Sequence, residues 1–491
     1  MNCMVNKNIG FDSEKYIKLQ SEEISKRLKM FDNKLYLEVG GKLLDELNFA
    51  RSVPGYNPEA KIEVLKKLKD KTEIIFCISA DSIEKKKMRA DHGISYDAEL
   101  LRLINRAREF GLNTTAVVIT LFSGQPEAIK FKNQLKRRKI KVYCHTYTKG
   151  YPTDIDTIVS HEGYGAQEFI ETNKPIVVVA APGPNSGKLA TCLAQLYHEH
   201  RRGRKAGYAK FETMPIWDLS LKHPLNMEYE AATADLGDRN MIDNFHLEKY
   251  RKTATTYNRD LLVFPILKNI LHRIIGEDIY NSPTDMGVNM IGRCIIYDEA
   301  IKVAAQSEII RRYLDSLCGY KNGHFDIDVP NRIKLLMDEL RISVEDRKVV
   351  EVALKTKFTK KSEIVAIELK NGETITGKDI KIMTASASAI MNTIKQISRI
   401  DDKIHLISPT HLNSILKLKK DIYGEGKLNL HDVLIALAVG ESINPTIKLA
   451  MSSLGKLRGL EAHSTVMLSK SELDSLKKLG LNVTCTDEFA Y

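Results

Sequence analysis

The sequence predicts an α/β protein: a mainly parallel sheet with flanking helices that carries a P-loop-like strand, loop and helix, plus a smaller C-terminal α/β region. Three observations predict it. Short β-branched runs alternate with longer segments whose apolar residues recur at helical spacing, the pattern of a parallel sheet covered by helices. Pro175-Ile-Val-Val-Val-Ala-Ala-Pro-Gly-Pro-Asn-Ser-Gly-Lys188 feeds such a run through a Gly/Pro/Ser turn into a helix. Near residues 320–335 the texture changes, with Gly319-Tyr-Lys-Asn-Gly-His324 as the linker. The expected domains are 1–325, divisible near 1–170 and 171–325, and 326–491.

The elements follow in order. Lys34–Val39 alternates like a strand and ends in Gly40-Gly41. A lysine-rich helix over 58–69 precedes the buried strand 72–80. Leu100, Leu103, Ile104, Ala107 and Phe110 form a helical stripe, closed by Gly111 before the strand 116–120. A helix over 127–138 enters a strand over 140–144, and further strands are expected at 156–160 and 175–181. A helix over 189–200 and a short strand ending near Thr213 come next. Residues 214–284, rich in Pro, Asn, Asp, His and aromatics, read as irregular, the texture of segments that line sites on a rigid scaffold. A helix over 295–313 closes the region. The C-terminal part is expected to hold a helix over 344–355, a hairpin over 364–376 turning at Asn371-Gly372, a helix over 384–397 and a strand over 405–409. Strand order is not readable from one sequence.

Composition narrows the class. Over 491 residues, 43% hydrophobic and 28% charged content fits well-filled globular domains, and no apolar run approaches a membrane span. Met1-Asn-Cys-Met-Val-Asn-Lys-Asn8 has no hydrophobic signal core. Cysteines stand singly at 3, 77, 144, 192, 294, 318 and 485, without a C-x-x-C pair, which points to reduced thiols in a cytoplasm and away from disulfides or structural zinc. The net charge of +11 is densest over Lys130–Lys141, where seven of twelve residues are basic. A solvated helix face explains that cluster first, attraction of anionic metabolites second and nucleic acid last, since aromatic interleaving is poor. No membrane partner is expected, and a homo-oligomer is compatible with the sequence.

Function is concentrated at 175–188. Strand, glycine loop and helix make a phosphate cradle: backbone N–H groups at the helix start face an anion and Lys188 adds a point charge. The residues assigned to phosphate are Gly183, Pro184, Asn185, Ser186, Gly187, Lys188 and Thr191. Against the G-x-x-x-x-G-K-[ST] spacing, Pro182 occupies the first glycine position, Gly183 comes one residue late, and Leu189 replaces the hydroxyl that would hold magnesium. A strand-to-helix turn with an ordinary surface lysine is the competing explanation.

Lys34–Lys42, Ala181–Cys192, Gly207-Tyr-Ala-Lys-Phe-Glu-Thr213, Ser282-Pro-Thr-Asp-Met-Gly-Val-Asn289 and Glu461-Ala-His-Ser-Thr-Val466 resemble an uncharacterised bacterial family, domain-of-unknown-function family 1846, over nearly the whole chain. Locally, Gly187-Lys188, the helix with Ala190 and Cys192, the basic exit Arg201–Lys205 and Ala206-Gly-Tyr-Ala-Lys210 are similar to the start of dethiobiotin synthetase. That enzyme and the cobyric-acid-synthase group use ATP to activate a carboxyl or carbamate group. The similarity implies that Lys188 holds the β/γ-phosphates and Lys210 neutralises the transferred phosphoryl group, with ATP and Mg2+ as cofactors.

Glu212 is the candidate magnesium ligand in place of the missing hydroxyl, with a lysine-paired glutamate as the competing explanation. Asp235 is a second candidate metal ligand, with turn formation as its alternative. Asp298 and Glu299 read as a helix start more than as a metal-binding strand end. His223 is the candidate proton-transfer residue and His463 a second histidine of interest, each with a structural hydrogen bond as its alternative. Gly40-Gly41-Lys42 is a second candidate anion loop. The expected function is ATP- or phosphate-dependent phosphorylation or ligation of a small anionic metabolite. The alternative is a regulatory protein that binds a phosphate ligand without turnover.

Overall fold

A computed structural model describes residues 9–89, 93–424 and 426–488; Cys3 and the segment 1–8 lie outside them. The chain divides into two compact units, one running to Ala305 and one from Gln306.

The first unit is built on β1 (Leu35–Val39), β2 (Thr72–Ser79), β3 (Thr114–Thr120), β4 (Val142–Cys144), β5 (Ile176–Ala180) and β6 (Gly207–Phe211). β7 (Asn240–Ile242) and β8 (Thr255–Tyr257) pair separately as an antiparallel ribbon, and β9 (Gly287–Val288) returns to the main sheet. The seven-stranded order is β4-β3-β2-β5-β1-β6-β9, with every neighbouring pair parallel. All residues of β2 and β5 are buried, which is why they read as unbroken apolar runs instead of alternating. The connection leaving β2 leads outward to β3, whereas the one leaving β5 crosses β1 to β6. Adjacent strands whose connections diverge open a crevice at their carboxyl ends, the usual ligand position in such sheets.

Several expectations are corrected. Residues 156–160 form no strand: Asp154 Oδ1 accepts the Thr157 N–H at 3.1 Å and starts a helical turn, Ile155–Ile158. The segment 214–284 is less irregular than its composition suggests, holding the helices Pro224–Ala232 and Asn258–Ile275, the second with Pro265 inside it. The helix expected over 295–313 runs Asp298–Lys321, so the first part of the expected linker is helical. Its opening Asp298 and Glu299 stand in the first turn, where negative charge suits the helix dipole. Residues 405–409 are not a strand, because Ser408 caps the helix Pro409–Leu418 by accepting the His411 N–H.

The second unit has a mixed sheet ordered β11-β10-β12-β13, from β10 (Ile364–Glu368), β11 (Thr374–Lys378), β12 (Glu461–Ser464) and β13 (Asn482–Cys485). The hairpin is present as expected, with Gly372 at φ +83° in its turn. The helix Ala385–Ser398 lies so close to β11 that a Cβ on Gly377 would stand 2.0 Å from the Ala389 nitrogen. Among the described residues the cysteines are free, and no helix is long and apolar enough to cross a membrane.

Candidate functional site

The loop after β5 is shaped by its neighbours. Gly187 has φ +78°, and a Cβ there would stand 2.7 Å from the Thr120 methyl. Only glycine meets both demands without strain. Thr120 Oγ1 donates to the Ser186 carbonyl at 3.0 Å, and Ser186 Oγ donates to the Gly183 carbonyl at 2.7 Å. Arg89 donates to the Pro182 carbonyl. Gly183 lies close against Tyr96: a Cβ at that position would stand 2.4 Å from the ring. Asn185 is left-handed at φ +57°. The loop ends on the helix Lys188–Arg201, which no side chain caps. The N–H groups of Lys188, Leu189 and Ala190 therefore have no acceptor inside the helix, whereas Thr191 N donates to the Gly187 carbonyl at 3.0 Å.

Lys188, Leu189 and Ala190 border a cavity of about 470 Å³. Its lining includes Asn185–Thr191, Glu38, Thr120, His145–Thr148, Tyr151, Tyr164 and Gln167. The volume is that of an ordinary small-molecule site. Pro184 is exposed beside the loop, and Gly183 packs on Tyr96. Although Thr191 borders the cavity, its hydroxyl is buried and accepts from Cys77 Sγ at 3.4 Å. Burial pushes the Cys77 thiol up to about 12, so it is an inert core group.

A polar cluster meets the cavity at Glu38 and Lys188, which line it. β1 and β6 pair in register, setting Glu38 beside Lys210. Lys188 Nζ lies 4.0 Å from Glu38 Oε1, and the Tyr208 hydroxyl donates to Glu38 Oε2 at 2.7 Å. Lys210 Nζ lies 3.2 Å from Glu212 Oε1 and 3.1 Å from Asp260 Oδ1. Tyr208 and Lys210, two residues apart on β6, share a face, and Glu212 just past its end reaches the Lys210 ammonium. Burial by itself would lower the Lys210 pKa, but Glu212, Asp260 and Glu38 outweigh it and raise the value. For Glu212 burial raises the pKa, helped by Asp260 and Glu38 and opposed by Lys210. The fold thus joins Lys188, Lys210 and Glu212 through Glu38.

Other candidates lie elsewhere. His223 caps the helix Pro224–Ala232, accepting the Leu225 N–H on Nδ1 at 3.2 Å and contacting Asp298 Oδ1 through Nε2 at 2.9 Å. Asp235 is exposed in the turn after that helix. Among the described residues no group of three or more His, Cys, Asp or Glu could hold a metal ion, and Lys210 rather than a vacancy lies between Glu212 and Asp260. His463 is buried in β12, with Nδ1 2.9 Å from Thr484 Oγ1. Lys61, fully buried, pins the Gly40–Lys42 loop by donating to the Gly40 carbonyl at 2.6 Å and the Lys42 carbonyl at 3.1 Å, while pairing with Glu46 at 2.8 Å.

Sequence reasoning did not single out Glu38, Asp260 or the wall of residues 145–151. Glu38 carried a usable signal, a carboxylate in an otherwise apolar strand just before Gly40-Gly41. Asp260 carried none, since its approach to Lys210 depends on how the helix Asn258–Ile275 packs.

Residues 9–341 match the family described as domain of unknown function DUF1846, N-terminal, and residues 345–491 match its C-terminal counterpart. Similar chains include UPF0371 proteins of Clostridium botulinum (strain Okra / Type B1), 52% identical over 492 residues, and of Clostridium tetani (strain Massachusetts / E88), 51% identical over 492 residues. Each alignment covers 98% of this chain and 98% of the relative. The chain therefore belongs, through both of its units, to the DUF1846 family, whose relatives carry the name UPF0371 protein.

Proposed function

We propose that the first unit binds a phosphate-bearing small molecule in the cavity at the start of the helix Lys188–Arg201, and that it uses ATP to phosphorylate or ligate a small anionic metabolite. The observation that carries this reading is a helix start without a side-chain cap, bearing Lys188, in the lining of a cavity of about 470 Å³ at the strand carboxyl ends. In the transfer, an oxygen of the metabolite attacks the γ-phosphorus, the bond to the bridging oxygen breaks and ADP leaves. Lys188 would hold the phosphates. Lys210, kept protonated by its carboxylate neighbours, would offset charge on the transferred group.

A second reading, binding without turnover, is favoured by Leu189 at the magnesium-hydroxyl position. Calorimetric titration with ATP, with and without magnesium, tests the site in wild type and Lys188→Ala. A charged hydrogen bond contributes about 1.5–3 kcal/mol, so the variant is expected to bind on the order of 10- to 100-fold more weakly. Equal affinity in both proteins, or binding in neither, would overturn the phosphate site. Phosphate release over hours then separates turnover from retention.

A further inference from the structure

We infer that the loop following β4 is a ring-binding wall, so that the ligand of this cavity is a nucleoside di- or triphosphate and not a phosphate-bearing acid or sugar. The inference rests on the phosphate reading above and adds the other half of the ligand. Two large aromatic side chains on this loop, Tyr147 and Tyr151, line the cavity and remain 62% and 50% exposed. Aromatic rings left in water at the mouth of a cavity are unspent apolar surface, and a planar heterocycle covers them with favourable stacking.

The wall is fixed rather than loose. At its base Cys144 N donates to Glu168 Oε2 at 2.9 Å, and His145 Nε2 lies 2.9 Å from the Glu168 carbonyl. Thr146 N donates to Gln167 Oε1 at 2.9 Å. At its tip the Tyr147 hydroxyl donates to the Tyr151 carbonyl at 2.9 Å, and Lys149 pairs with Glu162. Burial lowers the His145 pKa, so the ring stands neutral at the base of the wall and adds no charge to the cavity there. The cavity is therefore divided by chemistry. The helix start contributes Lys188, Leu189 and Ala190 to the lining, and the loop after β4 contributes the two exposed tyrosines. A phosphate chain and a ring on one molecule match that division. Stacking reads no particular base edge, so the wall is expected to accept nucleotides of any base.

Titrating the full chain with ADP and with inorganic tripolyphosphate separates the two halves. Wild type is expected to bind ADP more tightly than tripolyphosphate. Tyr147→Ala and Tyr151→Ala are each expected to weaken ADP about 5- to 100-fold while leaving tripolyphosphate unchanged. Tyr147→Phe, which keeps the ring but loses the bond to the Tyr151 carbonyl, should weaken ADP less than Tyr147→Ala does, and Lys188→Ala should weaken both ligands. Unchanged ADP affinity in both alanine variants overturns the ring wall, as does tripolyphosphate binding without ADP binding or an equal loss of both ligands in the tyrosine variants. Each of these leaves the phosphate site standing. Failure of wild type to bind either ligand overturns both readings.

Discussion

Gly187 and Gly203 share nearly the same backbone, at φ +78° and +76°, but not the same surroundings. A Cβ at 187 would press on the Thr120 side chain, whereas at 203 no heavy atom lies within 4 Å. Both alanine variants bear the left-handed strain of about 1–2 kcal/mol, and only Gly187→Ala adds a collision. Gly187→Ala is therefore expected to lower the melting temperature further and to weaken ATP binding, while Gly203→Ala leaves binding intact. Equal thermal losses with equal affinities would contradict this account of the loop. At this scale Lys188 was legible from the Gly-Lys spacing between a strand and a helix, and Lys210 only through the local similarity to dethiobiotin synthetase. Tyr147 and Tyr151 were not, since an exposed aromatic in a loop has many uses and only the folded chain brings it into the lining of one cavity with Lys188.

Among elements, the hairpin around Asn371-Gly372 was readable because its turn chemistry is local. β12 and β13 were not, being short and partly polar; Glu461-Ala-His-Ser464 becomes a strand by pairing with β10 on one side and β13 on the other. The helix Asn258–Ile275 was hidden by Pro265, a residue that argues against helix yet is tolerated here. The helix Ala385–Ser398 depends on small residues for its seat: Ala385, Ala387 and Ala389 are buried and Gly377 of β11 has no room for a Cβ. Because the obstructing atoms at 377 are helix backbone, Gly377→Ala must displace the helix, at a cost of about 1–3 kcal/mol or more. Chemical denaturation should show this as a lower midpoint; a variant as stable as wild type would mean the close approach is not as described.

At the scale of the molecule, the alternation of strand and helix made the parallel sheet legible, while its order was not, because β5 enters between β2 and β1 only in three dimensions. The basic cluster maps to the helix Pro126–Arg137, which buries Ala128, Phe131 and Leu135 and turns its lysines outward, as in Lys130 paired with Glu127 at 2.5 Å. The second unit carries a pH dependence of its own. Burial, with the charge of Arg347 nearby, lowers the His463 pKa from 6.5 to about 3. The native state thus refuses a proton that the unfolded chain accepts below pH 6.5. Stability is full above that pH and falls on acidification toward pH 3, by about 1.4 kcal/mol per unit. Denaturation from pH 7 to 4 should show a shallower fall for His463→Phe than for wild type, and identical slopes would remove this assignment.

The central claim is that the start of the helix Lys188–Arg201 holds a phosphate chain, and a crystal structure of the full chain with a non-hydrolysable ATP analogue tests it most directly. The account predicts phosphate oxygens against the N–H groups of Lys188, Leu189 and Ala190, with Lys188 Nζ turned from Glu38 to the ligand. An analogue bound elsewhere, as in the cavity beside Trp217 and Lys222, with the loop at Gly183–Gly187 untouched, would contradict it.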